Sequence, residues 1–518
     1  MLQLFFGTFV LFAFCLTYFY SVSGYGKILN NSNSNFFELQ FDGSIILLLI
    51  GYFIYLSIGI NFFINFLILI TGLILYFFYK KKINNVGFNY IIILFGLLFL
   101  VLLISKTHED FNLYHYFAIH EVFSNNLRIG ISKLNGYFIH SSHLILNQAL
   151  TILPFIGFKL VHIPVFIIYV STLGYFLVVV FNKNSKGDEL FFSTVVILVL
   201  LVKFNRLSEF GYDYIAQFIL IISFHKIFFL NSNNNEIIKG LKYFIFSILI
   251  KPISLLFTPI LFFIIYKKGL YFYKKISLKK YFLFSLLIIT IFSSSFFKTG
   301  CLFYPINLSC FSKEKINWSD KESLKDYSKV IILWAKSYDA QDKSKYQKIS
   351  DTKLYLKNFN WVKYWIESHF FYKIFEFLII VSLSIFLIYF YFIKTRSNID
   401  KNYTDKKILF FFLCLSIFFW FNTVPQFRFG FSSILIFVYI FLNFFFNLSI
   451  KFNKKKFIYL FIFGLLILNF KNINRINNEF SRTDFYKYTN FPFFNEKPIK
   501  YDYSKLKKEK FLHIEILK

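Results

Sequence analysis

Apolar residues in this chain fall in long runs nearly free of charge, such as 44–79 and 377–393, and short lysine-rich clusters separate them. A run of about 20 helical residues crosses the roughly 30 Å hydrocarbon core of a bilayer. A spanning segment must satisfy its own backbone, which leaves helices or a closed barrel. Barrel strands alternate apolar and polar positions over about ten residues, and these runs do not, so the pattern predicts helices. They are placed near 2–20, 44–60, 62–79, 88–104, 161–182, 189–203, 213–230, 242–266, 281–297, 372–393, 408–424, 430–448 and 456–471. The expected fold is an all-α integral membrane protein of about 13–14 transmembrane helices, with amphipathic interfacial helices after the fourth. Gly59 to Asn61 is the expected turn within 44–79. Lys251-Pro252 lies midway through 242–266, where a lysine is costly and a proline breaks the helix, so a short two-helix hairpin is preferred there.

Charge then sets orientation. The formal net charge is +30, which in a soluble chain would point to nucleic acid; here the lysines sit between apolar runs, and the positive-inside rule accounts for them without that partner. Lys80 to Lys82, the lysines from Lys267 to Lys280, those from Lys394 to Lys407, and Lys451 with Lys454 to Lys456 are all expected on the cytoplasmic side. The segments 105–160, 298–371 and 423–429 and the C-terminal tail then lie outside, as does 204–212 if the hairpin holds. The organisation read from this is an added N-terminal unit over 1–82 and a membrane core over 83–297 with the acidic loop 105–160. A loop segment over 298–371, membrane helices over 372–471 and an external basic tail over 472–518 follow. The first helix is read as retained rather than cleaved, because no basic residues precede it. With 81 Phe, one Met and 8 Pro, the composition looks AT-biased and carries no functional weight.

Cys301 and Cys310 lie in the external segment, nine residues apart, a spacing that a loop disulfide closes. Cys15 and Cys414 fall inside helices and read as small apolar residues.

Ionisable groups at membrane depth or gathered at one face carry the chemical information. Four constellations qualify. His108-Glu109-Asp110 with Tyr114 and His115 offers a general base or an oxygen-rich cation site; a solvated helix end is the bland reading. Arg206, Glu209 and Asp213 place two carboxylates one helical turn apart beside a cation, or simply cap a helix. Lys251 at a hairpin tip suits a phosphate, against a stray snorkelling lysine. Arg428, in Pro425-Gln426-Phe427-Arg428, clamps an anion or stacks in an interfacial aromatic belt. All four map to the same face under the orientation above.

With those residues in hand, the chain resembles the GT-C glycosyltransferases, polytopic enzymes that use polyprenyl-phosphate-linked sugars. The likeness rests on Glu109-Asp110, amphipathic helices after it, the later acids Glu209 and Asp213, and the Lys251-Pro252 hairpin. Asp110 to His115, Glu209 to Asp213, Gly300 to Pro305 and Pro425 to Arg428 also resemble a group of bacterial membrane proteins encoded beside surface-polysaccharide genes. Three helices precede the acidic loop here, whereas in typical GT-C enzymes the acidic motif follows the first. The resemblance implies a site facing the periplasm from a bacterial inner membrane, a lipid-linked sugar donor and a glycan or lipid acceptor. In it Asp110, with Glu109 and His115, provides the base. Lys251, Arg428 and Arg206 stabilise the lipid phosphate, Tyr114 joins them in binding substrate, and Glu209 or Asp213 orients the acceptor or holds a divalent cation. Two other readings stay open: an O-antigen polymerase or ligase built around the 298–371 loop, and a transporter or flippase without chemistry, for which no internal repeat is found.

Overall fold

A computed structural model describes residues 2–30, 35–80, 88–103, 111–134, 136–140, 142–185, 187–204, 212–269, 272, 274, 276–319, 321–394, 403–446, 450–451, 453–480, 508–511 and 514–517. Each segment expected to be helical carries a helix among the described residues. In chain order the helices are α1 (Leu2–Leu29), α2 (Glu38–Ser57), α3 (Phe62–Tyr79), α4 (Phe88–Leu98), α5 (Tyr116–Ser124), α6 (Leu144–Ala149), α7 (Ile163–Phe181), α8 (Gly187–Lys203), α9 (Asp213–Phe228) and α10 (Asn234–Ile250). They continue as α11 (Leu261–Lys268), α12 (Leu278–Thr299), α13 (Lys321–Ala335), α14 (Thr352–Leu356), α15 (Val362–Trp365), α16 (Glu376–Tyr391), α17 (Tyr403–Thr423), α18 (Phe427–Phe446) and α19 (Lys454–Phe480). Among the described residues, eight helical segments are long and apolar enough to cross a membrane.

The N-terminal hairpin closes on small residues. A Cβ at Gly43 would meet Val22 O at 2.0 Å and one at Gly26 would meet Leu39 O at 2.0 Å, so α1 and α2 touch backbone to backbone. Gly59 carries φ +79° in the expected turn, and Asn61 caps α3 by accepting from Ile64 N at 3.0 Å. The middle of the bundle is α7, α8, α9 and α10, whose apolar side chains are almost wholly buried.

The Lys251-Pro252 break settles the hairpin. Helix α10 ends at Lys251, whose backbone is extended, and a 3-10 segment over Pro252–Ile260 leads into α11. Lys280 at the start of α12 donates to Asn235 at the start of α10 at 2.9 Å, so these two helices begin at the same end and the chain between them returns. Lysine contacts define that end: Lys267 pairs with Asp405, Lys406 with Asp188 at 3.1 Å, and Lys456 donates to Tyr391 O at 2.7 Å. Strands β2 (Ile393–Lys394) and β3 (Ile450–Lys451) pair antiparallel there. The basic clusters among these residues thus share one end of the bundle, as charge alternation requires.

Helix ends differ from expectation where charges are buried by internal partners. Helix α2 starts at Glu38 rather than near 44, and α10 at Asn234 rather than near 242, because Glu38, Asp42, Glu236 and Lys239 are paired inside the bundle. Helix α19 runs on to Phe480, held by Arg475 donating to Leu100 O at 3.2 Å and Leu103 O at 3.0 Å, so 472–480 belongs to a helix and not to a tail. Strands β4 (Lys508–Phe511) and β5 (Ile514–Leu517) pair with each other, and β5 runs parallel to β1 (Arg128–Ile129).

The segment after α4 also departs from expectation. Helix α6 is fully buried instead of lying along an interface. Its polar residues find backbone partners: Asn147 donates to Ser44 O at 3.0 Å and Gln148 to Val161 O at 2.8 Å. A buried carbonyl partner removes the desolvation cost that would have kept these amides at the surface.

Cys301 and Cys310 form the expected disulfide. Closing a loop of this length contributes about 2.5 kcal/mol by the loop-closure relation. The double change Cys301→Ser, Cys310→Ser is therefore expected to loosen the 300–311 turn without unfolding the helices. Hydrogen exchange confined to that segment would show it, and protection lost across α12 would contradict it.

Candidate functional site

Helices α9 and α10 form an antiparallel pair, so the first residue of α9 meets the last of α10. At that junction Lys251 Nζ lies 2.8 Å from Asp213 Oδ1. Arg428, at the start of α18, reaches the same carboxylate from the other side, with Nε 3.2 Å from Oδ2. Residues from three distant parts of the chain thus meet at the end of the bundle opposite the lysine clusters. Asp213 is buried and its two cations are only partly exposed, which places the group at a water-poor boundary where charge interactions are stronger than in bulk water.

Aromatic rings fix the two cations. The Arg428 guanidinium lies 5.2 Å from the Trp334 ring and 5.3 Å from that of Phe429, and Lys251 Nζ is 5.7 Å from Phe429. The turn that carries Arg428 is clamped in turn. Trp365 Nε1 donates to Pro425 O at 2.7 Å, Trp420 Nε1 to Gln426 O at 3.0 Å, and Gln426 Nε2 to Ala335 O at 3.1 Å. Trp334 and Ala335 belong to α13, so the 298–371 segment folds onto this site.

The first constellation approaches from the remaining side. Phe111–His115 is a π-helical turn running into α5, a wider geometry than the helical spacing assumed from sequence. The His115 ring packs 4.7 Å from that of Tyr212, next to Asp213, and His115 is in electrostatic reach of the Asp213 carboxylate. Tyr114 stacks on Tyr137 at 4.9 Å. Burial, with Tyr114 and Asp213 beside it, pushes the Tyr212 phenol well above its usual range, so the hydroxyl stays protonated. Tyr212 Oη is buried without a hydrogen bond among the described residues.

The sequence-predicted set therefore divides. Asp213, Lys251 and Arg428 come together, with His115 and Tyr114 alongside, and Cys301 and Cys310 form a separate staple. Glu109, Asp110, Arg206 and Glu209 lie outside the described residues; the chain on either side of their loops, at His115 and Tyr212, is in contact. Among the described residues, Lys251 and Arg428 are the cations on the Asp213 carboxylate, one facing each oxygen. Among the described residues, no group of three or more His, Cys, Asp or Glu is arranged to hold a metal.

More cations rim the site. Lys203 pairs with Glu376 at 3.0 Å, and Lys373 lies in the field of both Arg428 and Lys203. Among the described residues, Lys251, Arg428, Lys203 and Lys373 gather here around Asp213 and Glu376, which favours anions at this end of the bundle.

A second polar group, at the lysine-rich end, was not singled out from sequence. Lys226 is fully buried between Glu38 at 2.9 Å and Glu236 at 2.5 Å, and Lys239 bridges the same two acids. Beside it Lys242 pairs with Asp42, and His225 links Glu189 at 3.2 Å to the Tyr175 hydroxyl at 2.8 Å. The signal was present as Glu38 and Asp42 four apart and Lys239 and Lys242 three apart, each pair on one helical face.

No curated protein and no solved structure matches the chain. Residues 1–435, which include Asp213, Lys251 and Arg428, match the family described as "Domain of unknown function (DUF8201)", and the chain belongs to that family.

Proposed function

We propose that this chain is a polytopic membrane glycosyltransferase of GT-C type, moving a sugar from a polyprenyl-phosphate donor to a cell-surface glycan or lipid acceptor. The observation that carries the reading is the meeting of Asp213, Lys251 and Arg428 at the end of the bundle opposite the basic loops. By the positive-inside rule those loops face the cytoplasm, so the site faces the periplasm or exterior of a bacterial inner membrane. A cationic group at that end of the bundle would attract a membrane-anchored phosphate.

The chemistry follows from this. Asp110 takes the proton of an acceptor hydroxyl, whose oxygen forms a bond to the anomeric carbon of the donor. The bond from that carbon to the phosphate oxygen breaks, and the lipid phosphate leaves with the electron pair. Lys251 and Arg428 stabilise the charge it gains. Asp213 holds both cations in place and keeps their net charge at +1, so the leaving phosphate is neither repelled nor trapped.

Transfer of labelled sugar from a polyprenyl-phosphate donor in membranes tests this. Asp110→Asn is expected to lower transfer at least about 100-fold with insertion unchanged, and Lys251→Gln about tenfold to 100-fold. Full activity of Asp110→Asn would end the base assignment. The polymerase or ligase reading is favoured by one observation, the packing of the 298–371 segment onto Arg428 through Trp334. Loss of function from changes in that segment but not at Asp110 would select it.

A further inference from the structure

Helix α13 crosses the site, and its residues show what it presents. Tyr327 and Trp334 are seven apart, hence on one helical face and separated by about 10 Å. Tyr327 packs on Tyr137, with ring centroids 6.4 Å apart, and Trp334 covers Arg428. Gly136 makes the first contact possible, since a Cβ there would stand 2.7 Å from the Tyr327 ring.

Two large rings in this strip stay open to solvent: Tyr137 is 44% exposed and Trp334 is 40% exposed. Both are braced from behind, Tyr137 by stacking on Tyr114 and Trp334 by the Arg428 guanidinium. From Tyr137 a continuous series of ring contacts runs through Tyr114, His115 and Tyr212 to Asp213. Rigid exposed rings flanking hydrogen-bonding groups suit a ligand with apolar faces and polar edges. Pyranose rings have that character: axial C–H groups lie on an aromatic face while hydroxyls point outward.

We infer that Tyr137 and Trp334 form a glycan subsite whose two ring platforms each hold a pyranose of one oligosaccharide, with at least one sugar between them, beside the Asp213–Lys251–Arg428 group. The inference deepens the glycosyltransferase reading by naming an oligosaccharide, rather than a lipid or a peptide, as the acceptor class. The cations beside Trp334 suit a neighbouring phosphate. Tyr137 and Trp334 bind and position; neither takes part in bond making.

Binding is separable from transfer, so the test reads binding alone. The full chain is placed in nanodiscs of sugar-free lipid and probed by saturation-transfer NMR with maltotriose, cellotriose and chitotriose. At least one trisaccharide is expected to receive saturation on its ring protons. Trp334→Ala and Tyr137→Ala should each weaken binding about tenfold, while Trp334→Phe stays within about twofold of the unmodified chain. Tyr346→Ala, an exposed ring away from the strip, should change nothing. No saturation of any of the three, or an unchanged affinity in Trp334→Ala, overturns the subsite. Sugar binding that persists without any transfer activity would instead count against the proposed reaction and leave the subsite standing.

Discussion

Asp213→Asn is expected to destabilise the folded chain by about 3 kcal/mol, because it removes the buried carboxylate that Lys251 and Arg428 share. The figure sits low in the range for broken buried pairs, since the Arg428 side chain is 26% exposed and water screens part of its charge. Thermal unfolding of detergent-solubilised protein, followed by loss of the monodisperse peak in size exclusion, measures it. The double change Asp213→Asn, Lys251→Met removes a charge of each sign and should recover most of the loss. It should not recover sugar transfer, because the cation that meets the leaving phosphate is gone. Equal stability of Asp213→Asn and the unmodified chain would mean that the two cations are solvated, and the site would then lack the dry boundary the mechanism needs.

Lys226→Met is expected to have a larger effect, about 3–5 kcal/mol, at the opposite end of the same helix pair. Lys226 is wholly buried and holds Glu38 of α2 to Glu236 of α10. Without it two carboxylates face each other with Lys239 alone between them. The expected result is a chain that inserts and is then degraded, with little monodisperse protein recovered. Adding Glu38→Gln should restore recovery in part, because one of the facing charges is then absent. Normal recovery of Lys226→Met alone would show that this group is a solvated patch and not a brace between α2 and the α9–α10 pair.

The helices were legible because long apolar runs have one physical meaning, and the Lys251-Pro252 break was legible because both residues oppose a continuous helix. Helix ends at Glu38 and Asn234 were not. A charged residue reads as an end from sequence, and only its partner, some 190 positions away in the case of Glu38 and Lys226, shows that it is inside. Helix α6 was misplaced for the same reason, since Asn147 and Gln148 look surface-bound until the carbonyls of Ser44 and Val161 are found beside them. The candidate site was legible in part. Spacing singled out Asp213, Lys251 and Arg428 separately but did not join them, because local neighbours such as Arg206 are all that a single sequence displays. The cap supplied by Trp334 and Ala335 came from a segment that sequence reading kept apart, in the polymerase alternative.

Everything functional depends on the site and the basic loops lying on opposite sides of a membrane. Single cysteines at 137, 334 and 423, compared with 267 and 455, in a background lacking Cys15 and Cys414, can be labelled in intact cells with a membrane-impermeant maleimide. The account predicts that 137, 334 and 423 react from outside, whereas 267 and 455 react only after the membrane is opened. Labelling of both sets from the same side would contradict it.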